Sequence, residues 1–160
     1  MNHITASRSY CRSLRQRLRY QFSLTQEEAD NFIPLNLELE LSAKTKRVRN
    51  IFVGSDLWGF LRPMDGLFLL TPSSAKFLIK LLKFPKLRVV VQSDVSEYIQ
   101  QGGNVFAKHV VNCDPTLIPS SEVIVVNEED LPLALGRLLL NREEALAFKT
   151  GIAVKVRKGI

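Results

Sequence analysis

Two short segments in the last third of the chain bring together the residue types that grip a nucleotide. They are Gln101-Gly102-Gly103-Asn104-Val105-Phe106-Ala107-Lys108-His109-Val110 and Lys149-Thr150-Gly151-Ile152-Ala153-Val154-Lys155-Val156-Arg157-Lys158. The glycine pair closes a helix expected over residues 94–101, and one of the two glycines can take the left-handed cap without Cβ strain. The other leaves bare backbone, which a phosphate or a base approaches more closely than it approaches a side chain. Phe106 and Lys108 follow at period two on one face of an expected strand, an aromatic plane beside a cation. The plainer reading of the same residues is a turn, with Phe106 in the core.

Catalytic chemistry has few candidates. His3, His109, Cys11, Cys113 and scattered carboxylates show no Ser/His/Asp or Cys/His order. His109 follows Lys108 directly, so on a strand it faces the opposite side and reads as a packed or interfacial histidine. Asp56, Asp65 and Asp94 sit in or before turns, where aspartate caps backbone amides. Trp58 reads as core or domain interface. The acidic turn Glu128-Glu129-Asp130 would repel RNA, so it belongs off a binding face or against a protein partner. The two cysteines form no CxxC and no Cys/His cluster, which indicates neither zinc nor a disulfide framework and fits a reducing cytoplasm. No cofactor is expected.

The elements that must position these residues follow from periodicity. Residues 7–19 carry five arginines, at 8, 12, 15, 17 and 19, with Tyr10, Leu14 and Leu18 at spacings of four. That pattern is an amphipathic basic helix or a disordered arm that folds on RNA. Thr25-Gln26-Glu27-Glu28 is a capping box opening a short helix. Leu35, Leu37, Leu39 and Leu41 alternate with polar residues as a half-buried strand, and residues 44–49 make a hairpin tip. Strands are expected over 47–53, 57–61 and 66–71, then a helix from Pro72.

Phe84-Pro85 marks the expected boundary between an amino-terminal module, 1–84, and a carboxy-terminal domain, 85–160. Beyond it, Val89-Val90-Val91 reads as a strand buried on both faces. Strands over 105–111, 122–126, 133–140 and 151–157 follow, with Gly136 as a bulge and Asn141 capping a short helix through Glu144. Many short strands with little helix suggest a small barrel. The fold class is therefore α+β.

Composition agrees with an RNA-facing role without requiring it. The chain has 160 residues, 46% hydrophobic and 24% charged, and 22 Lys+Arg against 16 Asp+Glu give a net charge of +6. A positive balance favours a polyanionic partner. No apolar run approaches the length of a membrane span, and the amino terminus lacks the apolar core of a secretory signal.

In order along the chain, Arg88-Val89-Val90-Val91, Gly102-Gly103, Val105-Phe106-Ala107-Lys108, Asp114-Pro115, Glu122-Val123-Ile124-Val125-Val126-Asn127, Ala134-Leu135-Gly136-Arg137 and Phe148-Lys149-Thr150-Gly151-Ile152-Ala153-Val154 closely resemble a PUA domain. The resemblance covers nearly all of residues 86–160 and implies a β-pseudobarrel that holds structured RNA. Upstream, Val48-Arg49-Asn50-Ile51 and Leu61-Arg62-Pro63-Met64-Asp65-Gly66-Leu67-Phe68-Leu69-Leu70-Thr71 resemble the module that precedes the PUA domain in archaeal archaeosine tRNA-guanine transglycosylases. The catalytic barrel of that family would need far more chain, so the likeness is to its carboxy-terminal RNA-binding part.

The resemblance implies a partner, tRNA held by its acceptor stem and 3′ end, and a separate catalytic transglycosylase chain. Gly102, Gly103, Phe106 and Lys108 would then meet the acceptor end, with Phe106 stacking on a terminal base and Lys108 on a phosphate. Arg88, Lys155, Arg157 and Lys158 would make salt-sensitive backbone contacts. Two alternatives stand beside this tRNA-presenting subunit: a free-standing RNA-binding protein of ribosome biogenesis or translation, and an independent small enzyme, for which no convergent set of titratable groups is visible.

Overall fold

Leu37 and Leu39 are buried while Glu38 and Glu40, which alternate with them, stay partly exposed, the mark of a strand with one face on a core. The computed structural model describes residues 2–160, and the chain divides into two units that meet in sequence between Leu81 and Leu82.

In the amino-terminal unit a five-stranded antiparallel sheet follows chain order: β1 (Asn2–Thr5), β2 (Leu37–Leu41), β3 (Val48–Val53), β4 (Asp56–Leu61) and β5 (Phe68–Leu70). The helices are α1 (Arg8–Phe22), α2 (Gln26–Phe32) and α3 (Pro72–Leu81). The arginine-rich segment is a helix, not a disordered arm. Ser7 accepts from the Tyr10 amide at its start, and Cys11, Leu14, Leu18 and Phe22 form its buried stripe. The capping box at Thr25 is formed as the sequence indicates, with Thr25 and Glu28 each bonding the other's amide at 3.1 and 2.8 Å. Strand β1 lies outside every sequence expectation, because four polar-to-mixed residues acquire strand form only by pairing with β2.

An aromatic cluster fills this core. Phe32 packs against Trp58, Phe68 and Phe77 with ring centroids 5.6, 5.9 and 6.2 Å apart. The Trp58 indole donates to the Phe32 carbonyl at 3.0 Å, which satisfies its one polar atom and makes it core. The Gln21 side chain bonds both backbone groups of Phe68 at 2.9 Å, completing β5 where a further strand would have paired.

The carboxy-terminal unit contains β6 (Arg88–Val91), a 3-10 turn (Ser93–Val95), α4 (Ser96–Gln100), β7 (Val105–Phe106), a second 3-10 turn (Ala107–His109), β8 (Val110–Cys113), β9 (Glu122–Val126), β10 (Pro132–Leu138), α5 (Arg142–Ala147) and β11 (Ile152–Gly159). The sheet runs β7-β11-β10-β9-β6-β8, antiparallel except for β6 beside β9. Strands β7 and β8 occupy opposite margins of this sheet, yet only three residues separate them. Three residues span at most about 10 Å, so the sheet has to curl until its margins nearly meet. The barrel is thereby closed by a turn.

The single strand expected over 105–111 is thus two strands on opposite margins. The helix expected over 94–101 opens as a 3-10 turn and becomes α-helical only from Ser96. Val89, Val90 and Val91 are all buried, as the run indicates, and so is every residue of β9. The bulge at Gly136 is present, and a Cβ there would meet the Lys155 carbonyl oxygen at 2.5 Å.

Candidate nucleic-acid interface

Residues 100–106 run antiparallel along β11, and three anchors fix that course. A Cβ on Gly159 would lie 1.9 Å from the Gln100 carbonyl oxygen, so the backbones touch there. The Asn104 carboxamide oxygen accepts from the Val156 amide at 3.0 Å. Phe106 then pairs with Ile152 and Val105 with Val154. The glycine turn consequently neighbours the 157–159 end of β11, and Phe106 neighbours its start. Six of the sequence-derived residues, Gly102, Gly103, Phe106, Lys155, Arg157 and Lys158, share this seam, and Lys108 follows it directly.

The two glycines differ. Gly102 has φ +99° and open space where a Cβ would stand. Gly103 lies under the Tyr98 ring, 2.3 Å from any Cβ it might have carried. Both amides are committed, Gly102 N–H to the Ile99 carbonyl at 2.9 Å and Gly103 N–H to the Tyr98 carbonyl at 3.0 Å. The bare backbone expected at this turn is therefore open over Gly102 and covered by Tyr98 over Gly103, and it offers access and shape, not free donors.

Phe106 is half-buried, and Val105 behind it is fully so. Lys108 is exposed, but it belongs to the 3-10 turn, so it does not share a strand face with Phe106. The Ala107 amide donates to the Gly151 carbonyl at 2.9 Å, with Gly151 at φ +97°. That bond brings the exposed Lys149-Thr150-Gly151 loop against the Phe106-Ala107 backbone. His109 bonds Gln92 through Nδ1 at 3.2 Å and is half-buried, a packed residue.

Arg88 is the clear departure. It is 1% exposed, and its guanidinium meets both carboxylate oxygens of Asp130 at 3.1 Å while donating to the carbonyls of Leu82 and Lys86 at 3.2 and 2.9 Å. A phosphate has no route to it, and Arg88 leaves the candidate interface. Asp130 of the acidic turn serves this internal pair, and Glu128 accepts from the Ser93 amide at 3.1 Å. Arg157 is only partly available, because it bonds the buried Glu122 carboxylate at 2.6 Å.

Sequence reasoning missed Tyr98, 51% exposed over the glycine turn, and Arg137, exposed opposite Lys155 in the β10–β11 register. A ring one helical turn before a glycine pair was the available signal for Tyr98. Burial pushes the Cys113 thiol up to about 11, with Asp114 adding to the shift, so it is no nucleophile at neutral pH. No group of three or more His, Cys, Asp or Glu placed to hold a metal occurs among the described residues. No helix among them is long and apolar enough to cross a membrane.

Comparison with known proteins assigns both units. Residues 87–160 match the PUA domain, and residues 12–85 match the patch-forming domain C2 of tRNA-guanine transglycosylase. A tRNA-guanine(15) transglycosylase of Methanococcus aeolicus is 41% identical over 145 residues, 88% of this chain and 22% of that protein. The enzyme of the same name from Thermococcus kodakarensis is 43% identical over 143 residues, 88% of this chain and 24% of its own length. The chain thus spans less than a quarter of those two relatives. Among solved structures, a hypothetical protein from Pyrococcus horikoshii OT3 matches 99% of this chain and 94% of its own, with TM-score 0.78 and 23% identity. A PUA domain protein from Aeropyrum pernix K1 matches 99% and 85%, with TM-score 0.73 and 18% identity. At those identities the structures establish the fold.

Proposed function

The chain is a PUA-domain protein carrying the patch-forming C2 domain of tRNA-guanine transglycosylase ahead of its PUA pseudobarrel, and we propose that it is a non-catalytic tRNA-binding subunit. In this role it presents tRNA to a separate tRNA-guanine transglycosylase in archaeosine modification. The observation that carries the reading is the succession of these two domains in one chain, at about 40% identity to the archaeal enzymes.

The β7–β11 seam supplies what the task requires. An aromatic ring at Phe106, exposed lysines at 108, 149 and 155, and an unobstructed glycine at 102 suit a single-stranded end whose bases stack and whose phosphates meet point charges. Lys158 and the partly paired Arg157 extend the same strip. The RNA contact is with the acceptor stem and 3′ end, and Phe106 stacks on a terminal base. Base-aromatic stacking is worth about 1–3 kcal/mol.

A gel shift across a salt series tests this, comparing intact tRNA with tRNA trimmed of its 3′ end, and wild type with Phe106→Ala. Affinity should fall with salt, with trimming and with loss of the ring. Equal binding of intact and trimmed tRNA, with Phe106→Ala silent, would reject the acceptor-end reading. A second reading, a free-standing RNA-binding protein of ribosome biogenesis or translation, draws on one observation: the fold occurs as a separate chain, since the Pyrococcus protein matches over 94% of its length. Such a protein would bind RNA without stimulating any transglycosylase.

A further inference from the structure

The amino-terminal sheet carries a basic cleft that the seam does not use. Because β3 is antiparallel to both neighbours, the β2–β3 and β4–β5 turns leave the same end of the sheet. The two turns are twins in their bonding. The Ser42 amide donates to the Arg47 carbonyl and the Lys46 amide to the Ser42 carbonyl, both at 2.9 Å. Correspondingly, the Arg62 amide donates to the Leu67 carbonyl at 2.9 Å and the Gly66 amide to the Arg62 carbonyl at 2.8 Å. Between the tips lies an open cleft of about 570 Å³.

Three arginines, 47, 49 and 62, line it, and Asp65 is its one carboxylate. Hydrogen bonds from Arg62, then from the Leu67 amide, hold the Asp65 carboxyl down at about 2, so this acid is already matched by a cation. Arg47 and Arg49 are exposed, and no ion pair joins either to a carboxylate among the described residues. Lys44 and Lys46 stand exposed on the first tip. On the second, an Arg17 guanidinium nitrogen lies 3.9 Å from where a Gly66 Cβ would be.

Lys46 adds an independent argument. It has φ +59° where its twin, Gly66, has +71°, a region costly to any residue with a Cβ. A lysine held where glycine fits better, with no ion pair to its charge among the described residues, points to use of that charge.

We propose that this cleft is a second RNA site, in which Arg47 and Arg49 in the lining, with Lys46 on the adjoining tip, grip the sugar-phosphate backbone without reading sequence. It deepens the tRNA reading and rests on it. An acidic protein partner fits less well, since a protein interface is built on an apolar centre and Met64, beside Pro63 at the second tip, is the one large hydrophobic side chain exposed in the lining.

The test uses the full chain and an intact tRNA transcript, with affinity followed by fluorescence anisotropy across a salt series. Each lost phosphate contact lowers the slope of log K against log salt by about 0.9 on duplex. Arg47→Gln with Arg49→Gln should lower it by about 1.8, and Lys46→Gly by about 0.9 while raising Tm. Phe106→Ala should lower affinity and leave the slope unchanged. An unchanged slope in the double variant, at unchanged Tm and with Phe106→Ala still active, would overturn the cleft and spare the tRNA reading. A double variant that loses binding to poly-glutamate but not to tRNA would assign the cleft to a protein and also overturn it. If Phe106→Ala and 3′ trimming are silent while the double variant flattens the slope, the acceptor-end reading falls and the cleft stands.

Discussion

In the amino-terminal unit the five strands lie side by side in chain order, whereas in the carboxy-terminal unit three of the five neighbouring pairs join strands that are not consecutive. The first sheet is held largely by hairpins, and its cations project from turns into water. The second is closed by a three-residue turn and has a cation inside, Arg88, whose partner Asp130 is 42 residues further on. A charge on a locally built sheet can stay solvated and serve a ligand. Drawn into a long-range closure, it must be fully satisfied from within.

The largest expected effect tests that contrast directly. Arg88→Ala leaves the Asp130 carboxylate and two carbonyls without their donor, and should cost about 3 kcal/mol in denaturant unfolding. An effect below about 1 kcal/mol, the scale of a surface pair, would erase the distinction between the two kinds of arginine.

Gly159→Ala and Gly59→Ala sharpen the comparison at matched chemistry. The new methyl would meet the Gln100 backbone at 1.9 Å in the first and the Phe68 ring at 2.1 Å in the second. Overpacking costs about 1–3 kcal/mol, and the backbone cannot turn aside as a ring can, so Gly159→Ala should lower Tm more. The opposite order would mean that the amino-terminal core is the stiffer of the two.

Next come the capping boxes, one in each unit. Thr25→Ala and Asn141→Ala each remove a bond to the amide three residues on, of 3.1 and 2.8 Å, and should cost about 1 kcal/mol apiece. Equal losses would indicate that local helix starts are indifferent to how the surrounding sheet is built.

Smallest is a pH effect at the β4–β5 turn. The Asp65 carboxyl is lowered to about 2 by Arg62 and the Leu67 amide, below its ordinary 3.8. Its contribution is therefore present above pH about 4 and is lost as pH falls through about 2. The Leu67 amide shift, followed by NMR, should titrate at that low value.

Legibility divides along the same line. Both capping boxes, the leucine alternation of β2 and the Gly136 bulge were readable because each depends on residues close in sequence. What escaped was decided at a distance. Strand β1 exists through β2, the 105–111 run is broken because its halves pair with different strands, and Arg88 carries no local sign of burial except its valine neighbours. The seam was legible as a set of residue types. That the glycine amides are already bonded was not, since those bonds come from the particular geometry of the α4 terminus.

The turn Ala107–His109 ties the two margins of the carboxy-terminal sheet together, with Phe106 immediately before it and Lys108 within it. A nucleotide held by both residues would act as a clasp on a rolled sheet. Unrolling the barrel would then require releasing the ligand first, so occupancy and mechanical resistance of the barrel rise together. On the RNA-binding proposal, the protein would be hardest to unravel while its ligand is bound.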